Sequence, residues 1–156
     1  MLRRILVAGG LVLALVVGIR IGARAAEKKA IDSTPPESIL VNLDGFYAQH
    51  ALQPGEPTRA DKVFSSPRCV VNLVSNKGPL IGRHIHTSCD EIVFVYKGSG
   101  EMYINDKWIP VKAGDLHVCP SGVAHATRVV GEGIMEVISI FTPPQAGGND
   151  RIMLDQ

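Results

Sequence analysis

The chain of 156 residues lacks clustered basic charge. Its 16 Lys and Arg residues stand against 15 Asp and Glu residues, for a formal net charge of +1, and no Lys/Arg-rich run occurs. Proteins that grip a nucleic-acid backbone concentrate positive charge on one surface. The sequence therefore predicts no nucleic-acid partner, and residues 27–67 leave no room for a helix-turn-helix domain that would suggest a DNA-binding regulator.

Cysteine is also scarce, with only Cys69, Cys89 and Cys119. Because three is an odd number, at least one thiol stays unpaired within the chain. We interpret these cysteines as small buried hydrophobic residues. A disulfide between Cys89 and Cys119 is the alternative if the protein reaches an oxidising compartment.

The N-terminal segment, residues 1–25, has no acidic residue and four arginines. Arg3 and Arg4 precede an apolar run, and the small residues at 23–25 follow the A-x-A pattern. This arrangement is typical of a secretory signal peptide, and the run is short for a spanning helix of about 20 apolar residues. We predict cleavage and a periplasmic or secreted protein; the alternative is an uncleaved inner-membrane anchor with the soluble domain outside the cytoplasm.

The chain also lacks a helix-length periodic segment between residues 69 and 142. Short β-type runs such as CVVNLVS, IVFVYK and IMEVISIF alternate there with Gly-, Asn- and Asp-rich breaks such as KGSG. This pattern is typical of an all-β sandwich or barrel made of hairpins. We predict an N-terminal arm at residues 26–67, a barrel at 68–142 and a C-terminal tail at 143–156.

Within the arm the punctuated composition predicts mainly loops. The run SILVNL is a candidate short strand, and DGFYAQHAL predicts a helical turn or two. In the tail, the residues after the turn in TPPQAGGNDRIMLDQ are a candidate edge strand.

The stretch GRHIHTSCDEIVFVYKG places two histidines next to an almost entirely apolar run. His84 and His86 are two residues apart, so on a strand they share a face. A strand folding back would bring the Glu91 carboxylate beside them, and His125 follows a Pro-Gly turn later in the chain. A single histidine is more often a surface or core residue, but imidazoles and a carboxylate together suit a metal ion.

The spacing of these residues resembles the two sequence motifs of the cupin superfamily. The first motif is matched by Gly78, His84, His86, Glu91 and Gly98, and the second by Gly114, Pro120, Gly122 and His125. Val129 departs from the pattern, because the family often has Asn there, but that Asn is not a metal ligand.

The resemblance covers residues 78–129 directly and, with flanking strands, residues 63–142. It implies a small, single-domain cupin with a jelly-roll β-barrel, and the signal-like N-terminal segment predicts that this cupin is exported. It also implies one divalent transition metal ion (Fe, Mn, Ni, Cu or Zn). The implied metal ligands are His84, His86, Glu91 and His125.

Three histidines and one carboxylate leave one or two positions open on an octahedral ion, as catalysis requires. We predict a metal-dependent, dioxygenase-like oxidoreductase that acts on a small chelating molecule, with Glu91 as a catalytic residue because it tunes the charge of the ion. One alternative is a Lewis-acid isomerase, epimerase or decarboxylase of a sugar or oxo-acid, which needs a proton shuttle such as Tyr103 or His117. The other alternative is a binding module without turnover, so the sequence leaves open whether the protein is an enzyme.

The run EIVFVYK is apolar on both faces. Val93 and Val95 share the parity of Glu91 and are expected to line the barrel, while Ile92, Phe94 and Tyr96 point away from it. A sheet with one wet face alternates apolar with polar residues instead. The outer residues therefore need a cover, either the N-terminal arm or a second subunit, and we predict a homodimer.

Overall fold

The computed structural model of the chain describes residues 37–78 and 81–154, so the predicted signal peptide or anchor lies outside the described residues. Their regular elements are α1 (Leu43–Gln49), β1 (Thr58–Ser65), β2 (Val70–Asn76), β3 (Ile81–His86), β4 (Asp90–Lys97), β5 (Ser99–Ile104), β6 (Lys107–Lys112), β7 (Leu116–Cys119), β8 (His125–Arg128), β9 (Met135–Thr142), a 3-10 turn (Ala146–Gly148) and β10 (Arg151–Met153). None of the helical segments in these ranges has the length and apolar character that a membrane crossing requires.

The strands form two five-stranded sheets. The first has the order β1-β2-β9-β4-β7 and the second the order β10-β3-β8-β5-β6, and the strand pairs are antiparallel. Short apolar runs broken by Gly and Asp favour this arrangement because each break lets the chain reverse. The predicted all-β class is confirmed.

The core lies between the inner faces of the two sheets. Val93 and Val95 of β4 are buried, as their shared parity with Glu91 predicts. They pack with Met102 of β5 and with Met135 and Val137 of β9. The alternation of buried and half-buried residues along β9 follows from this packing, since every second side chain points inward.

β1 differs from the expectation of a mainly looped arm at residues 26–67. It pairs with β2 in a ladder from Thr58–Asn76 to Ser65–Val70. Its sequence, TRADKVFS, is polar and lacks a clean apolar alternation. Strand formation here depends on hydrogen bonding to the apolar neighbour β2, which a local sequence pattern does not report.

α1 confirms the predicted helical turns, whereas SILVNL does not form a strand. Residues 37–42 have no regular structure, and Asn42 caps the helix by accepting a hydrogen bond from Gly45 N at 2.8 Å. Tyr47 is buried, donates its hydroxyl to the Val137 carbonyl at 2.8 Å and stacks on Tyr96. The helix therefore covers the Tyr96 end of the outer face of β4.

The tail contains the predicted edge strand. β10 pairs antiparallel with β3, with Arg151 opposite His86 and Met153 opposite His84. Residues directly opposite each other in a ladder point to the same face of the sheet. Arg151 and Met153 therefore point to the same side as the two histidines.

Candidate metal centre

β3 and β8 place three histidines on the inner face of the second sheet. His84 is paired with His125 across the β3–β8 ladder, and His86 lies two residues further along β3. All three side chains are buried. The turn before β8 is attached to β3, because Gly122 N donates to the His86 carbonyl at 2.7 Å and Ser121 Oγ donates to it at 3.2 Å.

Each imidazole is held at Nδ1 by an oxygen. His84 Nδ1 lies 2.8 Å from the Gly82 carbonyl, and His125 Nδ1 lies 2.9 Å from the Val123 carbonyl. His86 Nδ1 lies 2.8 Å from Asp150 Oδ1. Because carbonyl and carboxylate oxygens only accept hydrogen bonds, each Nδ1 carries a proton and donates it. The Nε2 atoms are left to face the interior.

The structure brings together the four residues predicted as ligands. One ligand atom from each of His84, His86, Glu91 and His125 lies within 4.8 Å of the others. The buried Nε2 atoms of His84 and His86 have no hydrogen-bond partner among the described residues. Burying a nitrogen lone pair without a hydrogen-bond donor is unfavourable. A divalent ion can satisfy this lone pair, because neutral imidazoles bind such ions through it. The residues present therefore fit a metal ion, and this cluster could bind one.

Glu91 and His125 form a buried ion pair. Glu91 Oε2 lies 2.9 Å from His125 Nε2, and Glu91 Oε1 accepts from Ser139 Oγ at 2.6 Å. Burial alone would raise the pKa of Glu91, but hydrogen bonds with His125 and Ser139, together with the approach of His86 Nε2 to 3.6 Å, hold this pKa well below its ordinary value. The carboxylate is therefore ionised across the physiological pH range.

The histidines differ in charge. Burial lowers the pKa of His84 to about 4, so this ring is neutral at pH 7. Burial opposes the charge on His125 as well, but hydrogen bonds with Cys119 and Glu91 raise its pKa to about 10. In the metal-free protein, the His125 imidazolium thus supplies the positive charge beside Glu91 that a bound cation would otherwise supply.

A cavity of about 500 Å³ opens beside Glu91. Its wall combines apolar residues of β4 and β9 with uncharged polar residues such as Asn72 and Thr127. Arg151 also lines it and has no ion-pair partner among the described residues. The cavity thus has a carboxylate at one point of its wall and a guanidinium at another.

Sequence reasoning missed Ser139 and Asp150. Ser139 is the one hydroxyl in the run IMEVISIF and shares the inward parity of its apolar neighbours Val137 and Phe141, which is a weak signal of a functional role. Asp150 gives no comparable signal, because it reaches His86 across 64 residues of chain.

Neither predicted proton shuttle lines the cavity. The Tyr103 hydroxyl instead contacts Arg83 and Asp106, and His117 lies on β7 opposite Val93 beside a different pocket. The three cysteines, all within the described ranges, are free thiols.

Comparison with known proteins identifies the family. The family model described as "Cupin domain" matches residues 73–141. An oxalate-binding protein of Thermotoga maritima is 32% identical over 81 residues, which make up 52% of this chain and 67% of that relative. The chain belongs to the cupin superfamily. The motif resemblance and the implied cupin barrel are therefore confirmed.

Solved structures of other proteins share the fold. A conserved protein with a double-stranded β-helix domain from Klebsiella pneumoniae superposes with a TM-score of 0.61 at 20% identity, covering 77% of this chain and 100% of that chain. KdgF from Halomonas sp. superposes with a TM-score of 0.59 at 21% identity, covering 72% of this chain and 98% of that chain. At such identities the likeness shows that this cupin has the double-stranded β-helix fold and carries no information on its reaction.

Proposed function

We propose that this cupin binds one divalent transition metal ion through His84, His86, Glu91 and His125, and acts as a dioxygenase-like oxidoreductase on a small chelating anion. The observation that carries the proposal is the pair of buried, unpartnered Nε2 atoms of His84 and His86, which converge with Glu91 beside the cavity. A bound ion would supply open coordination positions for a chelating molecule, and a redox-active ion such as Fe(II) or Cu(II) would also supply one-electron chemistry with O₂.

The protein's own residues support an anionic ligand. Arg151 shares the inner face with His86 and lines the cavity, so its guanidinium is placed to bind a carboxylate or enolate oxygen. Ser139 holds Glu91 so that one carboxylate oxygen stays directed toward the histidines. The apolar side chains of Val93 and Phe141 line the same cavity.

The cavity wall favours oxidation over Lewis-acid isomerisation, epimerisation or decarboxylation. Those reactions move a proton to or from carbon and need a group that exchanges it near neutral pH. Among the described lining residues, only Glu91 and Arg151 carry charge, and the lowered pKa of Glu91 makes it a poor proton donor. Oxygenation does not require a proton-exchanging side chain in the cavity wall.

A binding role without turnover is the second candidate. It is favoured by the relative from Thermotoga maritima, which is named an oxalate-binding protein. Oxalate is a small chelating dianion, the class of ligand that a metal ion next to Arg151 would hold. In such a binding role, Arg151 would contribute to ligand affinity, and the bound ligand would not react.

Metal content is the first test of the proposal. Protein purified without chelator should contain close to one first-row transition ion per chain by elemental analysis. His84→Ala, His86→Ala and His125→Ala should each lose most of it, because each removes a ligand. His50→Ala is the matched control, since His50 stacks on Phe46 away from the cluster and should leave metal content unchanged. Full retention in two of the three site variants would overturn the ligand assignment.

Oxygen consumption separates the two candidate functions. Fe(II)- or Cu(II)-loaded protein should consume O₂ with at least one member of a panel of chelating phenols, thiols, enols and dicarboxylates. Glu91→Gln should abolish turnover more completely than binding, because the carboxylate tunes the charge of the ion. Metal-dependent binding of oxalate without O₂ uptake across the panel would favour the binding role, and anaerobic turnover would favour a Lewis-acid reaction.

A further inference from the structure

The buried carboxylate of Asp150, just before β10, belongs to neither sequence motif, yet it touches a proposed metal ligand. Its side chain is 4% exposed. Oδ1 lies 2.8 Å from His86 Nδ1. Oδ2 accepts from Thr87 N at 3.0 Å, from Ser88 N at 2.7 Å and from Ser88 Oγ at 2.6 Å. A carboxylate with this many donors is fixed in position.

The hydrogen bond to Asp150 determines which nitrogen of His86 carries the proton. Gln145 Nε2 also lies near His86 Nδ1, at 3.1 Å, and an amide NH₂ can donate only to an unprotonated ring nitrogen. The two neighbours therefore favour opposite tautomers. The carboxylate bond is shorter and charge-assisted, so it is the stronger of the two. At the other nitrogen, Glu91 Oε2 lies 3.6 Å from Nε2, too far for a hydrogen bond that would hold a proton there. Nδ1 therefore keeps its proton, and the lone pair is on Nε2, which faces the metal cluster.

We propose that Asp150 is a positioning residue of the metal site, which holds His86 in the Nδ1–H tautomer and orients its Nε2 toward the ion. Hydrogen bonds of this kind raise the basicity of a ligating imidazole and fix its ring orientation. The tail residues that follow the last long strand are thus part of the site. This inference rests on the proposed metal-binding function, which His84, Glu91 and His125 support independently.

Asp150→Asn is the sharpest variant, because it keeps the size of the side chain. Oδ2 receives three donors, so the single amide oxygen of Asn is expected to take that place. The amide NH₂ then faces His86 Nδ1 and can only donate to it. His86 is forced into the Nε2–H tautomer, with a proton where the metal would bind.

Two readouts test the proposal. Long-range ¹⁵N–¹H NMR of the metal-free wild type should show His86 as the Nδ1–H tautomer, and Asp150→Asn should show mainly Nε2–H. In chelator competition with Zn²⁺, Asp150→Asn should bind about 10- to 100-fold more weakly than wild type.

Ser88→Ala is the matched control. It removes the Ser88 hydroxyl bonds to Asp150 and to Ala146 N, and so loosens the tail, but it leaves the Asp150–His86 bond in place. It should keep the wild-type tautomer and most of the Zn²⁺ affinity. An equal loss of affinity in both variants, without a change of tautomer in Asp150→Asn, would show that the tail acts only structurally and would overturn the proposal.

The proposal and the metal-binding function fail in different ways. If Asp150→Asn does not fold, an Nε2–H tautomer of His86 in the wild type is by itself sufficient to overturn the positioning role. Tight Zn²⁺ binding by wild type with unchanged affinity in Asp150→Asn would also overturn the positioning role of Asp150, while the proposed metal-binding function would remain supported. Absence of metal binding by wild type would instead sink the proposed function.

Discussion

At the residue scale, the charge of His125 links metal binding to pH. Hydrogen bonds with Cys119 and Glu91 overcome the effect of burial and raise the pKa of His125 to about 10, so the ring is protonated in the metal-free protein at pH 7. A ligating imidazole must be unprotonated at the nitrogen that binds the ion. The ion and the proton therefore compete for His125 Nε2.

This competition predicts proton release on metal binding. Titration calorimetry with Zn²⁺ at pH 7, in buffers of different ionisation enthalpy, should show about one proton released per ion. The apparent affinity for Zn²⁺ should rise about tenfold per pH unit between pH 6 and 8, because this pH range lies below the raised pKa of His125. Cys119→Ala removes one contact that raises the pKa and should move the upper end of this dependence to lower pH. A pH-independent affinity with no proton release would contradict the charge assigned to His125.

At the scale of elements, the β4–β5 connection depends on Gly98. Its φ is +78°, and an added Cβ would collide with the backbone carbonyl oxygen of Ile134. Gly114 also has a positive φ, +94°, but an added Cβ there meets no atom within 4 Å. Substitution at Gly114 therefore tests backbone strain alone, whereas substitution at Gly98 tests backbone strain and steric collision together.

We expect Gly114→Ala to lower the free energy of unfolding by about 1 to 2 kcal/mol, the cost of a left-handed conformation for a residue with a Cβ. Gly98→Ala should lower it by about 3 to 4 kcal/mol, because the collision adds to that strain. Urea unfolding followed by circular dichroism measures both values. Equal losses in the two variants would mean that the Ile134 backbone moves aside at little cost.

At the scale of the whole molecule, the outer face of the first sheet has an exposed apolar surface. We call the residues Ile92, Phe94, Leu116 and Val118 the β4–β7 patch; Phe94 lies opposite Leu116 and Ile92 opposite Val118. Leu116 is 62% exposed and Val118 53% exposed. Helix α1 covers Tyr96 but leaves these side chains uncovered among the described residues.

The predicted homodimer would bury this patch. Light scattering at micromolar concentration should give the mass of two chains. Leu116→Lys should yield monomers, because it places a charge in an apolar interface. Val130→Lys, at a loop position that is 65% exposed, is the control and should leave the dimer intact. A wild-type monomer mass would contradict the homodimer and leave the N-terminal arm as the alternative cover.

Export is a second prediction at this scale. The charged start, apolar run and small residues at 23–25 lead us to propose a periplasmic or secreted protein whose mature chain begins at or near Ala26. Intact-mass measurement of protein from an exporting host measures the cleavage point. Recovery of the full-length chain in the membrane fraction would support the anchor alternative.

Much of this protein is determined by its sequence alone. Short apolar runs with Gly- and Asp-rich breaks dictate an all-β fold, because chain reversals and alternate burial are local properties. The two-residue spacing of His84 and His86 and their position before Glu91 identify the candidate cluster for the same reason. His125 is also predicted from the sequence, since its Pro-Gly turn and its spacing match the second motif.

Only the tertiary structure decides the features that join distant segments. β1 is a strand because β2 offers it a ladder, although its own residues are polar. Ser139 and Asp150 hold Glu91 and His86 through hydrogen bonds that span 48 and 64 residues of chain. Arg151 faces the cavity because β10 pairs with β3 in a register that places it opposite His86. Such contacts depend on which strands become neighbours, and side-chain spacing within one strand carries no record of that choice.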